Sequence, residues 1–199
     1  MKFILASQNP HKLKEMSDIL SAQGVEIVLE SELGLAIEVE ETGETFAENA
    51  MLKAKTVMEK TGYPAIADDS GLCVDALQGA PGVYSARYGG PTLNDTQRYE
   101  LLLQNLCGAP GGRAAHFTCH IACAFPNGDT LEAEGQCPGT IAYAPQGDGG
   151  FGYDPVFFLP ELKKTYAQLT PEEKAAVSHR GKALAVFDGK LQEYLREHQ

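Results

Sequence analysis

A chain of 199 residues with 43% hydrophobic and 22% charged residues has the makeup of a globular protein with a substantial core. Its formal net charge of −11 excludes a general grip on nucleic acid, which needs a basic surface, but allows a small anionic ligand held by a few placed lysines and a metal. No apolar run reaches membrane-spanning length, the amino terminus lacks a signal-peptide layout, and the five scattered cysteines read as reduced thiols, so a cytoplasmic protein without membrane contact is expected.

Residues 2–7 read as an apolar strand that runs into Ser7-Gln8-Asn9-Pro10-His11-Lys12. Pro10 suits the first turn of a helix, and Leu13, Met16, Ile19 and Leu20 then recur at helical spacing up to Gly24. A polar turn between strand and helix presents backbone N–H groups to phosphate oxygens, and Lys12 adds a positive charge, although many such turns bind nothing. Residues 25–29 form a second strand. An acidic turn follows, in which Glu40 and Glu41 are either a solvated loop or a source of metal-binding carboxylate. Thr45 and Glu48 fit a capping box, with Phe46, Ala50, Ala54, Val57 and Met58 on one face of the helix that follows, up to Gly62. Lys53 lies within that helix, where its bland reading is a solvent-facing side chain.

Pro64, Ala65, Ile66 and Ala67 predict a short strand, with Asp68-Asp69-Ser70-Gly71 at its carboxyl end. Adjacent strand side chains point to opposite faces, so two carboxylates acting together require that the strand has ended. Paired carboxylates beside a hydroxyl suit a hard cation such as Mg2+, and the alternative is a solvated turn. Extended chain is expected over 72–76, a turn at Gly79-Ala80-Pro81-Gly82, a short connecting piece over 83–88, a helix over 93–106 and a flexible loop over 108–112.

His116, Cys119, His120 and Cys123 would share a face on a helix and resemble a zinc site. However, Phe117, Cys119, Ile121, Cys123 and Phe125 alternate strictly, which predicts a strand with buried thiols and outward imidazoles. Pro126-Asn127-Gly128-Asp129 signals a hairpin whose second strand covers 130–135, so the sheet is mixed. The glycine-rich run from Gly147 carries Phe151-Gly152-Tyr153-Asp154, either a ligand loop with a stacking aromatic or a plain loop whose aromatics sit in the core. Thr170, Pro171 and Glu173 start a helix that carries Lys174. Ser178-His179-Arg180-Gly181 interrupts before a last helix traced by Leu184, Phe187, Leu191 and Leu195. No linker separates independent domains, so residues 1–199 are expected to form a single domain.

These segments, in order, resemble the inosine triphosphate pyrophosphatase family. The resemblance rests on Ser7-Gln8-Asn9-Pro10-His11-Lys12, Glu40-Glu41-Thr42-Gly43, Ala67-Asp68-Asp69-Ser70-Gly71, Pro81-Gly82-Val83-Tyr84-Ser85-Ala86-Arg87-Tyr88, Gly150-Phe151-Gly152-Tyr153-Asp154-Pro155 and Ser178-His179-Arg180-Gly181. It implies an α/β fold with a long mixed sheet flanked by helices, in two lobes with a central substrate cleft. It implies a homodimer and Mg2+-dependent hydrolysis of ITP, dITP and XTP to the monophosphate and pyrophosphate. By the same resemblance Ser7, Gln8, Asn9, Pro10, His11 and Lys12 bind the triphosphate, and Lys53 contacts phosphate. Asp69 is proton acceptor and metal ligand, Glu40 a second metal ligand, and Ser70 a substrate contact. Phe151, Gly152, Tyr153, Asp154, Lys174, His179 and Arg180 bind the nucleoside. Gln8 departs from the glycine that many relatives carry.

Overall fold

The structure, a computed structural model, describes residues 1–21, 24–109 and 112–198, apart from the side chains of Pro10 and His11. Seven strands form one sheet in the order β2-β1-β3-β4-β5-β6-β7. They are β1 (Lys2–Leu5), β2 (Glu26–Leu29), β3 (Ala65–Val74), β4 (Ala114–Ala124), β5 (Thr130–Ile141), β6 (Phe157–Leu159) and β7 (Lys164–Thr165). β1 pairs in parallel with β2 and β3, whereas β5–β6 and β6–β7 are antiparallel, so the sheet is mixed as expected. The helices are α1 (Pro10–Leu20), α2 (Phe46–Thr61), α3 (Asp95–Asn105), α4 (Pro171–Val177) and α5 (His179–Glu197). Among the described residues no helix is long and apolar enough to cross a membrane.

The chain divides into two compact units, each assembled from separated stretches: Met1–Asp69, Cys119–Gly135 and Lys182–Gln199 in the first, Ser70–Thr118 and Gln136–Gly181 in the second. The first has its core around Phe3, Leu5, Met16, Ile66, Ile121 and Phe187. Ala50 and Ala54 of α2 pack on Ala67, Ala122 and Ala124, and these small side chains let the helix approach the strands closely. The second has its own core around Leu72, Leu102, Phe117, Phe157 and Tyr166.

Local signals fix the helix ends. Thr45 Oγ1 accepts the Glu48 N–H at 3.2 Å while Glu48 Oε2 accepts the Thr45 N–H at 3.1 Å, and Gly62 closes α2 at φ 71°. Thr170 and Glu173 do the same for α4, with Pro171 at its first position. The spacing that predicts the last helix is also observed: Leu184, Phe187 and Leu191 are buried in the first core.

Three expectations need correction. β3 does not stop before Asp68: the strand continues through Asp68, Asp69, Ser70 and Gly71 to Val74, because lysines from two helices neutralise its carboxylates. His120 does not face outward; it is 9% exposed, its Nε2 lying 2.8 Å from Glu132 Oε2 on β5. The break before the last helix is Ser178 alone, with His179 and Arg180 already in the first turn of α5. The segment over 82–87 is a 3-10 turn, and of the loop expected over 108–112, residues 110 and 111 lie outside the described residues.

Candidate active site

The first unit holds most of the residues expected to meet the phosphates. Ser7, Gln8 and Asn9 form the turn after β1, where Ser7 Oγ accepts the Asn9 N–H at 3.1 Å and the Asn9 carbonyl accepts the Leu13 N–H. α1 begins at Pro10, as the sequence predicts, which places the turn at a helix N-terminus. The expected contacts of the Pro10 and His11 side chains lie outside the described residues. From the first turn of α1, Lys12 reaches Asp68 at 2.8 Å, and the Asp68 side chain is fully buried.

Lys53 is far from the solvent-facing residue of its bland reading. Its Nζ lies 2.8 Å from Glu41 Oε1 and 3.2 Å from Asp69 Oδ1. Burial works against its charge, but Asp69 and Glu41 outweigh it and hold the Lys53 pKa above the ordinary value. Asp69 is shifted upward too: burial disfavours its charged form and Glu41 adds repulsion, against the opposing pull of Lys53. The strand alternation now has a visible result, because Asp68 and Asp69 each take a different lysine from a different helix. The acidic turn enters through Glu41, while Glu40 is exposed.

Asp69 Oδ2 is buried with no hydrogen-bond partner among the described residues. An orphaned hard oxygen of this kind fits Mg2+, as does the neighbouring Glu41 carboxylate. Among the described residues no three His, Cys, Asp or Glu side chains form a complete metal cage.

The sequence reading missed Asn49. This fully buried residue of α2 accepts the Gly43 N–H through Oδ1 at 2.8 Å, and so ties the acidic turn to the helix. A Cβ on Gly43 would lie 2.7 Å from that oxygen, so only glycine fits there. A polar residue between Phe46 and Ala50 on a helix bearing a buried face was the available signal.

The second unit holds the residues expected to meet the nucleoside, and it begins at Ser70, which is half-buried in β3. Asp154, 4% exposed, accepts the Phe151 N–H at 2.9 Å and pairs with Lys174 Nζ at 2.5 Å. Burial raises the Asp154 pKa, with Lys174 the main opposing influence. The two loop aromatics divide between the two readings of this segment. Phe151 is 50% exposed with Lys174 over its ring at 4.9 Å, whereas Tyr153 is buried and donates to the Ser85 carbonyl at 2.9 Å. The Gly152 N–H donates to Asp95 Oδ2 at 2.9 Å, and Arg98 braces Asp95 at 3.1 Å. No sequence pattern marks Asp95 or Arg98 as a neighbour of this loop.

His179 and Arg180 are both buried, and the His179 ring stacks on Phe117 with centroids 4.7 Å apart. Ser178 caps α4 and, through its Oγ, accepts the Gly181 N–H at 3.0 Å at the start of α5. A Cβ on Gly181 would overlap the Ala175 carbonyl oxygen, which is why glycine follows Arg180.

The pattern of the Ham1 family matches residues 3–189. A dITP/XTP pyrophosphatase of Desulforamulus reducens is 51% identical over 185 residues, 92% of each chain, and one of an Exiguobacterium species is 47% identical over 98% of this chain and 100% of its own. The structure of a HAM1 protein from Coxiella burnetii superposes with a TM-score of 0.92 at 43% identity, covering 97% of this chain and 99% of its own.

Proposed function

The chain belongs to the Ham1 family, and from that premise we propose that it is a nucleoside triphosphate pyrophosphatase acting on deaminated purine nucleotides. ITP, dITP and XTP would be hydrolysed to the monophosphate and pyrophosphate, which keeps these bases out of DNA and RNA. The observation that carries the reading is Asp69: a buried carboxylate with one oxygen on Lys53, which Glu41 engages from the other side.

In this reading Asp69 orients a water toward the α-phosphorus and accepts its proton, a role favoured by the upward shift that burial gives it. Lys12 and Lys53 place positive charge against the triphosphate, with the backbone N–H groups of Ser7 to Lys12 receiving phosphate oxygens. Asp68 holds Lys12 in position. Asp69 and Glu40, with Glu41 beside them on Lys53, would hold Mg2+, which supplies charge neutralisation on the phosphate oxygens. Displacement at phosphorus asks for positioning and electrostatics, so no covalent nucleophile is needed and the cysteines stay outside the chemistry.

Base recognition falls to the second set. Hypoxanthine and xanthine offer a 6-oxo acceptor and an N1–H donor, where adenine offers an amino donor and a bare N1. Donors at His179, Arg180 and neighbouring amides, with Asp154 as acceptor and the exposed Phe151 ring for stacking, match the first pattern and leave buried groups unpaired with the second. Such mismatches cost up to roughly 10⁴-fold. Ser70 contributes a further substrate contact. The resemblance to the inosine triphosphate pyrophosphatases supports a homodimer working in the cytoplasm.

The test is incubation of the purified protein with ITP, XTP, dITP, ATP and GTP, with Mg2+ or with EDTA, and separation of products by ion exchange. Monophosphate and pyrophosphate from ITP and XTP, dependent on Mg2+ and nearly absent with ATP, are expected. Orthophosphate as the product, or binding without turnover, would overturn the reading.

A further inference from the structure

Asn49 is fully buried, yet only one end of its amide is satisfied. The Gly43 N–H identifies the oxygen of the amide, since a donor must face an acceptor, and so fixes Nδ2 as the other end. That Nδ2 is buried with no hydrogen-bond partner among the described residues. Asp69 Oδ2 is in the complementary state, a buried acceptor lacking a donor. The two belong together by construction of the helix. Asn49 precedes Lys53 by four residues, so both share one face of α2, and Lys53 already touches the other oxygen of Asp69. Asn49 is also among the groups that favour the charged form of Asp69.

We propose that Asn49 is a positioning residue for the pyrophosphatase reaction, its Oδ1 fixing the acidic turn and its Nδ2 donating to Asp69 Oδ2 to set the direction of that carboxylate. One amide then joins the Glu41 turn to the catalytic strand. The inference rests on the function proposed above, because it gives Asn49 a task only if Asp69 activates water.

Two substitutions separate the ends of the amide. Asn49→Asp keeps an oxygen for the Gly43 N–H and nearly the same shape but replaces the donor facing Asp69 with a second acceptor. Gly43→Ala crowds the Oδ1 end and disturbs the turn while keeping an amide donor at position 49. Steady-state hydrolysis of ITP with Mg2+ should show kcat of N49D lowered at least 30-fold with KM within about twofold, because a misdirected carboxylate slows the chemical step without weakening ground-state binding. A thermal melt reports whether N49D is folded; should it not be, Asn49→Ala, which removes the donor facing Asp69, is compared with G43A in its place. In metal-free protein, the Asn49 side-chain amide protons should be protected from exchange, with one resonance displaced downfield, and Asp69→Ala should abolish the displacement. An N49D enzyme with kcat within threefold of wild type, a kinetic defect confined to G43A, or an amide resonance indifferent to D69A would each overturn the proposal. Wild-type protein that fails to hydrolyse ITP would instead overturn the function on which it rests.

Discussion

Lys12 and Asp68 meet at 2.8 Å, the carboxylate wholly buried and the lysine side chain 21% exposed. An arrangement of this kind is asymmetric toward substitution. Lys12→Ala takes a positive charge away from a buried carboxylate, whereas Asp68→Asn removes the buried charge itself. K12A should lose about 3 kcal/mol of stability, the scale on which a buried pair suffers when one member is removed, and D68N clearly less. Urea unfolding of the two variants measures the difference, and equal losses would show that the pair does not anchor the helix start.

Burial disfavours the charged form of Asp69, so its conversion to asparagine should separate activity from stability. Its native pKa lies above the unfolded value, so ionisation costs the native state. That cost is absent below the unfolded pKa and complete above the native one. D69N is therefore expected to lose at least 10²-fold in kcat while melting at a higher temperature than wild type near neutral pH, with the gap closing as pH falls. Calorimetry from pH 4 to 8 reads this directly; a D69N protein less stable than wild type at neutral pH would contradict it.

Lys174 serves Asp154 and the Phe151 ring at once. Its replacement by alanine leaves Asp154 without its charge partner and unseats the exposed aromatic. The expected effect is a KM for ITP raised by 10-fold or more with a smaller change in kcat, the mark of lost binding rather than lost chemistry. Initial rates across a range of ITP concentrations decide it.

Gly181→Ala should be among the more harmful methyl additions in the chain. The added carbon overlaps the Ala175 carbonyl oxygen, a backbone atom that cannot rotate away. Separation of α4 from α5 would carry His179 and Arg180 with it, so a lowered melting temperature and a raised KM for ITP are expected together. A melting temperature equal to wild type would mean that the two helices part freely.

Features written over three or four neighbouring residues are legible in the amino-acid sequence alone. Thr45 with Glu48, Thr170 with Pro171, and the spacing of Leu184, Phe187 and Leu191 act through short-range geometry, and each lies where the pattern puts it. Family resemblance supplies the residues of the site but not their pairings. That Lys12 takes Asp68 and Lys53 takes Asp69 depends on how α1 and α2 lie on β3, which no local pattern encodes. The continuation of β3 through two aspartates is unreadable for the same reason, since the charges are tolerable only once distant lysines arrive. Asn49 leaves only a faint mark, a polar residue between Phe46 and Ala50, because the partners of a buried asparagine are set by its surroundings.

Both lysines proposed to meet the phosphates are already engaged with carboxylates, Lys12 with Asp68 and Lys53 with Glu41 and Asp69. Arrival of a triphosphate is therefore an exchange of partners inside a partly covered site, not the capture of a polyanion by loose surface charge. Ionic strength acts chiefly on exposed charges and weakly on covered ones. It follows that an acidic protein can take a highly charged nucleotide without an attractive far field, and that moderate salt should alter its KM for ITP much less than it would alter that of a protein presenting free lysines.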